Sequence, residues 1–123
     1  MYNVLVCDDE KDIVSALQIY LKSEGYQVFS AYNGKEALKI INREDIQLVL
    51  MDIMMPEMNG YEATKAIRSL QNCPDAKDIP IIAMTANAFA EDVQASLDAG
   101  MNGHLSKPIV MDEVVKAIVR NLN

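Results

Sequence analysis

The sequence has little with which to build a thiolate or imidazole metal site: 123 residues contain two cysteines and one histidine. Cys7 and Cys73 lie far apart with no CxxC pair, so zinc is not indicated, and two free thiols in a reducing compartment are expected. Long apolar runs are also missing. No stretch approaches the ~20 residues of a membrane span, and the start MYNVLVCDDE has neither the basic region nor the apolar core of a signal peptide. A cytoplasmic protein without membrane insertion is expected. Positive charge is scarce, with 11 Lys and Arg against 18 Asp and Glu and a net charge of −7. That balance argues against direct nucleic-acid binding, which needs basic surface to replace counterions. No P-loop motif supports nucleotide hydrolysis, and no repeat, low-complexity tract or linker divides the chain.

What remains is a hydrophobic fraction of 50% and a charged fraction of 24%, the balance of a globular domain, at a length that suits one domain. Strand-like and helix-like patterns alternate throughout. Strands are expected at Asn3–Cys7, Gln27–Ala31, Gln47–Met51, Ile79–Met84 and Gly103–Ser106. Between them, apolar residues recur at helical spacing: Ile13, Ala16, Leu17, Tyr20 and Leu21 before Gly25; Ala37, Leu38 and Ile41; Ala63, Ile67 and Leu70; Phe89, Val93 and Leu97 before Gly100. A last helix carries Val114, Val115, Ile118, Val119 and Leu122, with Asp112 and Glu113 in its first turn, where they suit the helix dipole. QNCPDAKD reads as a polar loop. Five βα units with short connections imply a parallel sheet covered by helices on both faces. Ligands of such sheets bind beyond the carboxyl ends of the strands.

Those ends are polar. The first strand runs into Asp8, Asp9 and Glu10, the third ends on Asp52, the fourth on Thr85 and the fifth on Ser106, Lys107 and Pro108. Each residue alone has an ordinary explanation. Asp8 and Asp9 suit a helix start, Thr85 an N-cap, Lys107 a solvated surface and Asp52 an Asx turn. Their coincidence on one edge, with strands ~4.8 Å apart, is harder to explain that way. Three carboxylates in a small volume repel, and a hard divalent cation such as Mg²⁺ resolves the repulsion with oxygen ligands. Lys107 adds a point charge suited to phosphate. A cation, a lysine, a hydroxyl and a carboxylate able to attack compose a phosphoryl-transfer site.

DDE after the first strand, DIMMPEMNG after the third, TA after the fourth and KP after the fifth together resemble the receiver domains of two-component response regulators, over essentially all of residues 1–123. The resemblance implies a CheY-like, flavodoxin-like, doubly wound α/β fold with a five-stranded parallel sheet in order 2-1-3-4-5 and five helices. It implies a phospho-accepting receiver in which Asp52 takes a phosphoryl group from a phosphohistidine on a sensor histidine kinase or histidine phosphotransfer domain. Asp9, Asp52 and the backbone carbonyl of Met54 would hold Mg²⁺, with Asp8 acting through water. Lys107, Thr85 and the backbone N–H of Ala86 would bind phosphoryl oxygens, Pro56 and Gly60 would shape the loop after the acceptor, and Lys107-Pro108 would be cis.

The same resemblance implies a switch through Thr85 and the position three before the lysine. His104 stands there in place of the usual aromatic and can change charge near neutral pH. The output face would comprise the fourth helix, fifth strand and fifth helix. Met54 and Asn87 would set the rate of self-dephosphorylation, and Asn59, where Asp is common, would affect only the loop. IPIIAMTANAFAEDVQASLDAGMNGHLSKPI is most similar to receivers of hybrid sensor kinases. No output domain follows within these residues, so an output protein or a domain outside this chain is expected. The chain would catalyse its own phosphorylation and dephosphorylation without being a turnover enzyme. Rival readings are a flavin-binding flavodoxin, which CDDEKD disfavours by repelling a phosphate; an aspartyl phosphatase, whose D-x-D pattern fails at Asp8–Glu10; and a receiver-like scaffold without phosphorylation, which would not need the full set of Asp8, Asp9, Asp52, Thr85 and Lys107.

Overall fold

A computed structural model describes residues 2–55, 57–71, 73–86 and 90–122, with no side chain described at 74 or 90–93. The elements run β1 Asn3–Cys7, α1 Lys11–Ser23, β2 Gln27–Ala31, α2 Gly34–Arg43, β3 Leu48–Asp52, α3 Gly60–Arg68, a 3-10 turn at Pro74–Lys77, β4 Ile81–Thr85, α4 Ala90–Ala99, β5 Gly103–Ser106 and α5 Met111–Leu122. All strand pairs are parallel, in the order β2-β1-β3-β4-β5. The parallel pairing is the one expected from the alternating pattern, and the order is the one that the resemblance implied.

The period-2 alternation of each inner strand divides the core in two. Leu5, Val49, Met51, Ile81 and Ala83 pack with residues of α2 and α3, such as Ala37, Ile41, Ala63 and Ile67. Val4, Val6, Leu48, Leu50, Ile82 and Met84 pack on the other face with Val14, Leu17 and Leu21 of α1 and Val114 and Ile118 of α5. Every residue of β3 and β4 is buried.

Boundaries differ from expectation where backbone hydrogen bonding decides. β3 lies one residue later and includes Asp52, whose Cα pairs with Met84, because the Ile53 N–H still donates to the Met84 carbonyl at 3.2 Å. β4 begins at Ile81 rather than Ile79. Pro80 has no N–H to give, and the Ile79 N–H turns back to the Asp75 carbonyl at 3.0 Å, inside a 3-10 turn that the sequence suggested only as a loop. Leu70 lies beyond the end of α3. Leu97 and Val119 are not core residues. Both are exposed, whereas Ser96, Ala99 and Ala117 are buried on their helices. Phe89 and the Val93 side chain lie outside the described residues.

Three glycines matter to the fold. Gly25 and Gly100 follow α1 and α4 at φ +95° and +104°, the left-handed C-terminal geometry that glycine adopts without penalty. Gly60, at the start of α3, is a close approach: a Cβ there would collide with the Asp52 carbonyl oxygen and lie 2.8 Å from Ile53 Cα. At the edge of the sheet opposite the acidic cluster, Arg68 donates to the carbonyls of Gly100 (3.1 and 2.7 Å), Ala76 (2.9 Å) and Ile79 (2.7 Å) and to Asn102 Oδ1 (2.8 Å).

Candidate functional site

The residues that converge do so because parallel strands stop at a common level. β1 delivers Asp8 and Asp9, β3 delivers Asp52, β4 delivers Thr85, and the turn after β5 delivers Lys107. Thr85 is in register with Ser106, and its carbonyl accepts the Lys107 N–H at 2.8 Å, which fixes the lysine beside the end of β4. The alternation along β3 sends Asp52 to the side of Leu48 and Leu50, facing α1 and α5.

Asp8 is fully buried and Asp52 is 2% exposed, whereas Asp9 is exposed. One carboxylate oxygen from each of the three lies within 4.8 Å of the others. Asp8 and Asp52 each commit one oxygen to the chain just beyond. Asp8 Oδ1 accepts the Glu10 N–H at 2.9 Å, and Asp52 Oδ1 accepts the Met54 N–H at 3.2 Å. Asp52 is therefore an Asx-turn residue as well as a site residue; the two readings of its sequence position are not exclusive. Lys107 Nζ sits 3.2 Å from Asp8 Oδ2, 3.4 Å from Asp52 Oδ1 and 3.6 Å from Glu10 Oε1. The Asp8 contact is an ion pair outside hydrogen-bonding geometry, so buried Asp8 Oδ2 has no hydrogen bond.

Burial, and then the charge of Asp8, push the Asp52 carboxyl up from 3.8 to about 7, against the opposing pull of Lys107 and the Met54 N–H. Burial alone would lower the Lys107 ammonium, but Asp52 and Asp8 outweigh it and keep the group protonated. One lysine thus faces two buried carboxylates and leaves them incompletely neutralised. An orphaned buried oxygen and three hard oxygen donors fit a divalent cation that prefers carboxylates and water, as Mg²⁺ does.

Other expectations can be located. Ala86 is exposed directly after β4, and Met54 is 75% exposed two residues beyond Asp52. His104 is exposed on β5, opposite Ala83 in register. The Lys107-Pro108 bond is cis. Pro56 and Asn87 lie outside the described residues. Asn59 does more than affect the loop: it caps α3 in a capping box, with its side chain accepting the Glu62 N–H at 2.9 Å and Glu62 accepting the Asn59 N–H at 3.2 Å. Cys7 and Cys73 are free thiols. Burial, followed by the charge of Asp8, pushes the Cys7 thiol far above its usual range, which leaves it inert.

Sequence reasoning gave no role to Glu10, although it stands in the quoted DDE and reaches Lys107. It also missed the reason for Gly60, because the Asp52 carbonyl that crowds it is visible only once β3 and α3 meet. Among the described residues no helix is long and apolar enough to cross a membrane.

A family model described as the response regulator receiver domain matches residues 4–119. The response regulator SaeR of Staphylococcus epidermidis is 41% identical over 115 residues, which are 94% of this chain and 48% of SaeR. The chain therefore spans about half the length of the curated relatives it matches first. Chemotaxis protein CheY4 of Vibrio cholerae superposes with a TM-score of 0.93 at 31% identity, covering 99% of each chain. The receiver domain of sensor histidine kinase PA1611 from Pseudomonas aeruginosa, solved with a magnesium ion coordinated in its active-site cleft, gives 0.88 at 33% identity, covering 98% of this chain and 97% of that one. Matched over nearly its whole length in sequence and in fold, the chain belongs to the response regulator receiver domain family of two-component systems.

Proposed function

We propose that Asp52 is the phospho-acceptor of this receiver domain and that it takes the phosphoryl group of a phosphohistidine on a sensor histidine kinase or a histidine phosphotransfer domain. The observation that carries this reading is the placement of Asp52: 2% exposed, inside the cluster of three carboxylates and 3.4 Å from a protonated lysine. A carboxylate oxygen of Asp52 attacks phosphorus, the P–N bond to the partner's imidazole breaks, and the imidazole keeps the electron pair. The ionised form of Asp52 is required, and Lys107 favours it. Lys107 and the Thr85 hydroxyl, with the Ala86 N–H, then serve the phosphoryl oxygens.

Asp9, Asp52 and the Met54 carbonyl would hold Mg²⁺, with Asp8 acting through water. When bound, the ion neutralises the carboxylates and the charge of the incoming phosphoryl group. The magnesium in the Pseudomonas receiver's cleft supports this choice of metal. The domain catalyses its own phosphorylation and dephosphorylation and does not turn over an external substrate. An apolar groove of about 260 Å³ beside the site, lined by Ile13, Leu17, Lys107, Pro108, Ile109 and Met111, gives a phosphohistidine-bearing partner a surface next to the acceptor. Thr85 and His104 transmit the change to α4, β5 and α5, which act on an output domain or protein outside this chain, in the cytoplasm.

Incubation with a small phosphodonor and Mg²⁺, followed by intact mass, tests the central claim. One added phosphoryl group is expected for the native chain and none for Asp52→Asn or for the native chain with EDTA. Uptake that survives Asp52→Asn would overturn the assignment. The switch is tested separately: backbone amide shifts in α4, β5 and α5 are expected on adding Mg²⁺ and a phosphate mimic, and unchanged shifts there would remove the output face.

A further inference from the structure

Methionines crowd the centre and rim of this domain, and burial separates them. Met51 and Met84 are fully buried, Met101 and Met55 are 3% and 7% exposed, and Met58 and Met111 are half-buried. Met54 is 75% exposed. Among the described residues it is the methionine whose side chain stands in solvent. Cys7 is buried and held as the thiol, and Cys73 is half-buried, its Sγ donating to Asn42 Oδ1 at 3.2 Å. Only exposed sulfur atoms meet a dissolved oxidant readily.

The position of Met54 gives its oxidation a consequence. Its N–H donates to Asp52 Oδ1 at 3.2 Å, which puts its Cα within about 4.7 Å of that oxygen. The unbranched side chain, with three rotatable bonds, can therefore reach over the rim of the acceptor. As a thioether it presents an apolar group there and displaces water. As a sulfoxide it presents a strong hydrogen-bond acceptor that gathers and orients water.

We propose that Met54 is an oxidation site, converted to the sulfoxide by peroxides, and that its oxidation shortens the life of the phosphoryl group on Asp52. In the oxidation, the thioether sulfur attacks one peroxide oxygen, the O–O bond breaks, and sulfur loses two electrons to become S=O. The other peroxide oxygen leaves as water. Hydrolysis of the acyl phosphate then proceeds faster because the sulfoxide oxygen holds an attacking water near phosphorus. The effect on lifetime rests on Asp52 being the phospho-acceptor; the order of oxidation does not.

The experiment treats the full chain with hydrogen peroxide, locates added oxygen by peptide mass, and follows loss of the phosphoryl group after loading from a small phosphodonor with Mg²⁺. Met54 is expected to gain one oxygen before any other described methionine or buried Cys7. The phosphoryl half-life is expected to fall about fivefold, the effect of one added hydrogen bond on a barrier. Methionine sulfoxide reductase should restore it, and the half-life of Met54→Leu, whatever its own value, should not change on peroxide treatment. Prior oxidation of another described methionine, or complete oxidation of Met54 with an unchanged half-life, overturns the proposal. If the untreated chain takes up no phosphoryl group, the acceptor reading fails and this proposal fails with it, a result distinct from normal uptake followed by an insensitive half-life.

Discussion

The two edges of the sheet each hold a half-buried cationic side chain, and they treat it in opposite ways. At the amino edge, the five hydrogen bonds of Arg68 all go to neutral oxygens, those of Gly100, Ala76, Ile79 and Asn102. Asn102 Oδ1 also accepts the Ile81 N–H at 2.9 Å, so one cation ties the end of α3, the 3-10 turn, the start of β4 and the turn after α4. At the carboxyl edge, Lys107 is shared among Asp8, Asp52 and Glu10, and Asp8 Oδ2 has no hydrogen bond. The amino edge has its hydrogen-bonding capacity filled within the chain, and that fixes structure. The carboxyl edge is left short of positive charge and of donors, the arrangement that the proposed cation and phosphoryl group would complete.

The largest stability effect is expected at the amino edge. Arg68→Met takes its donor from the carbonyls of Gly100, Ala76 and Ile79 and should cost about 3 kcal/mol in urea unfolding, with phosphoryl uptake retained below the transition. A loss under about 1 kcal/mol would mean that water serves those carbonyls as well as Arg68 does.

Gly60→Ala should cost about 2 kcal/mol, because the added Cβ must displace the Asp52 carbonyl or the start of α3. Since that carbonyl belongs to the proposed acceptor, phosphoryl uptake is expected to slow as well. A variant that is destabilised yet loads at the native rate would show that the strain is absorbed by α3 alone.

Relieving the carboxyl edge should do the reverse. The folded chain keeps a proton on Asp52 up to about pH 7, whereas the unfolded chain releases it near 3.8. The folded state thus binds more protons between those values, and this group's contribution to stability falls as pH rises through that window. Asp52→Asn, measured without divalent metal, should gain about 2 kcal/mol at pH 8 and nothing near pH 4. Mg²⁺ should stabilise the native chain, through binding to the folded state, far more than the variant. An equal gain at both pH values would mean that Asp52 is not the strained carboxylate.

The smallest effect is expected at Asn59. Removing the capping box by Asn59→Ala should lower the unfolding midpoint by about 1 kcal/mol in stability, with a phosphoryl half-life close to native. A large change in that half-life would place the cap in the site's own mechanism.

Much of this molecule was legible in its residues. β1, β2 and β5 have the expected boundaries, because runs of apolar residues bounded by turn formers leave the chain few alternatives. The parallel pairing followed from the βα alternation, and the strand order from the resemblance to receiver domains. Asp8, Asp9, Asp52, Thr85 and Lys107 could be singled out because each sits where a strand stops, and all parallel strands stop on one side. Amphipathic spacing was a weaker guide at α4 and α5, where Leu97 and Val119 hold the period yet stand in solvent, because which helix faces are covered depends on neighbours distant in sequence.

The sequence by itself determined the fold class and the set of groups at the carboxyl edge, because both depend on local pattern and on where strands end. Only the tertiary structure decided how those groups share charge: Asp8 buried and Asp9 exposed, Glu10 drawn in toward Lys107, Asp52 raised to about 7, and Gly60 pressed against the Asp52 carbonyl. The same holds for Arg68, whose partners lie 8 to 34 residues away. These properties depend on distances between chain segments and on exclusion of water, and neither exists until the helices close over the sheet.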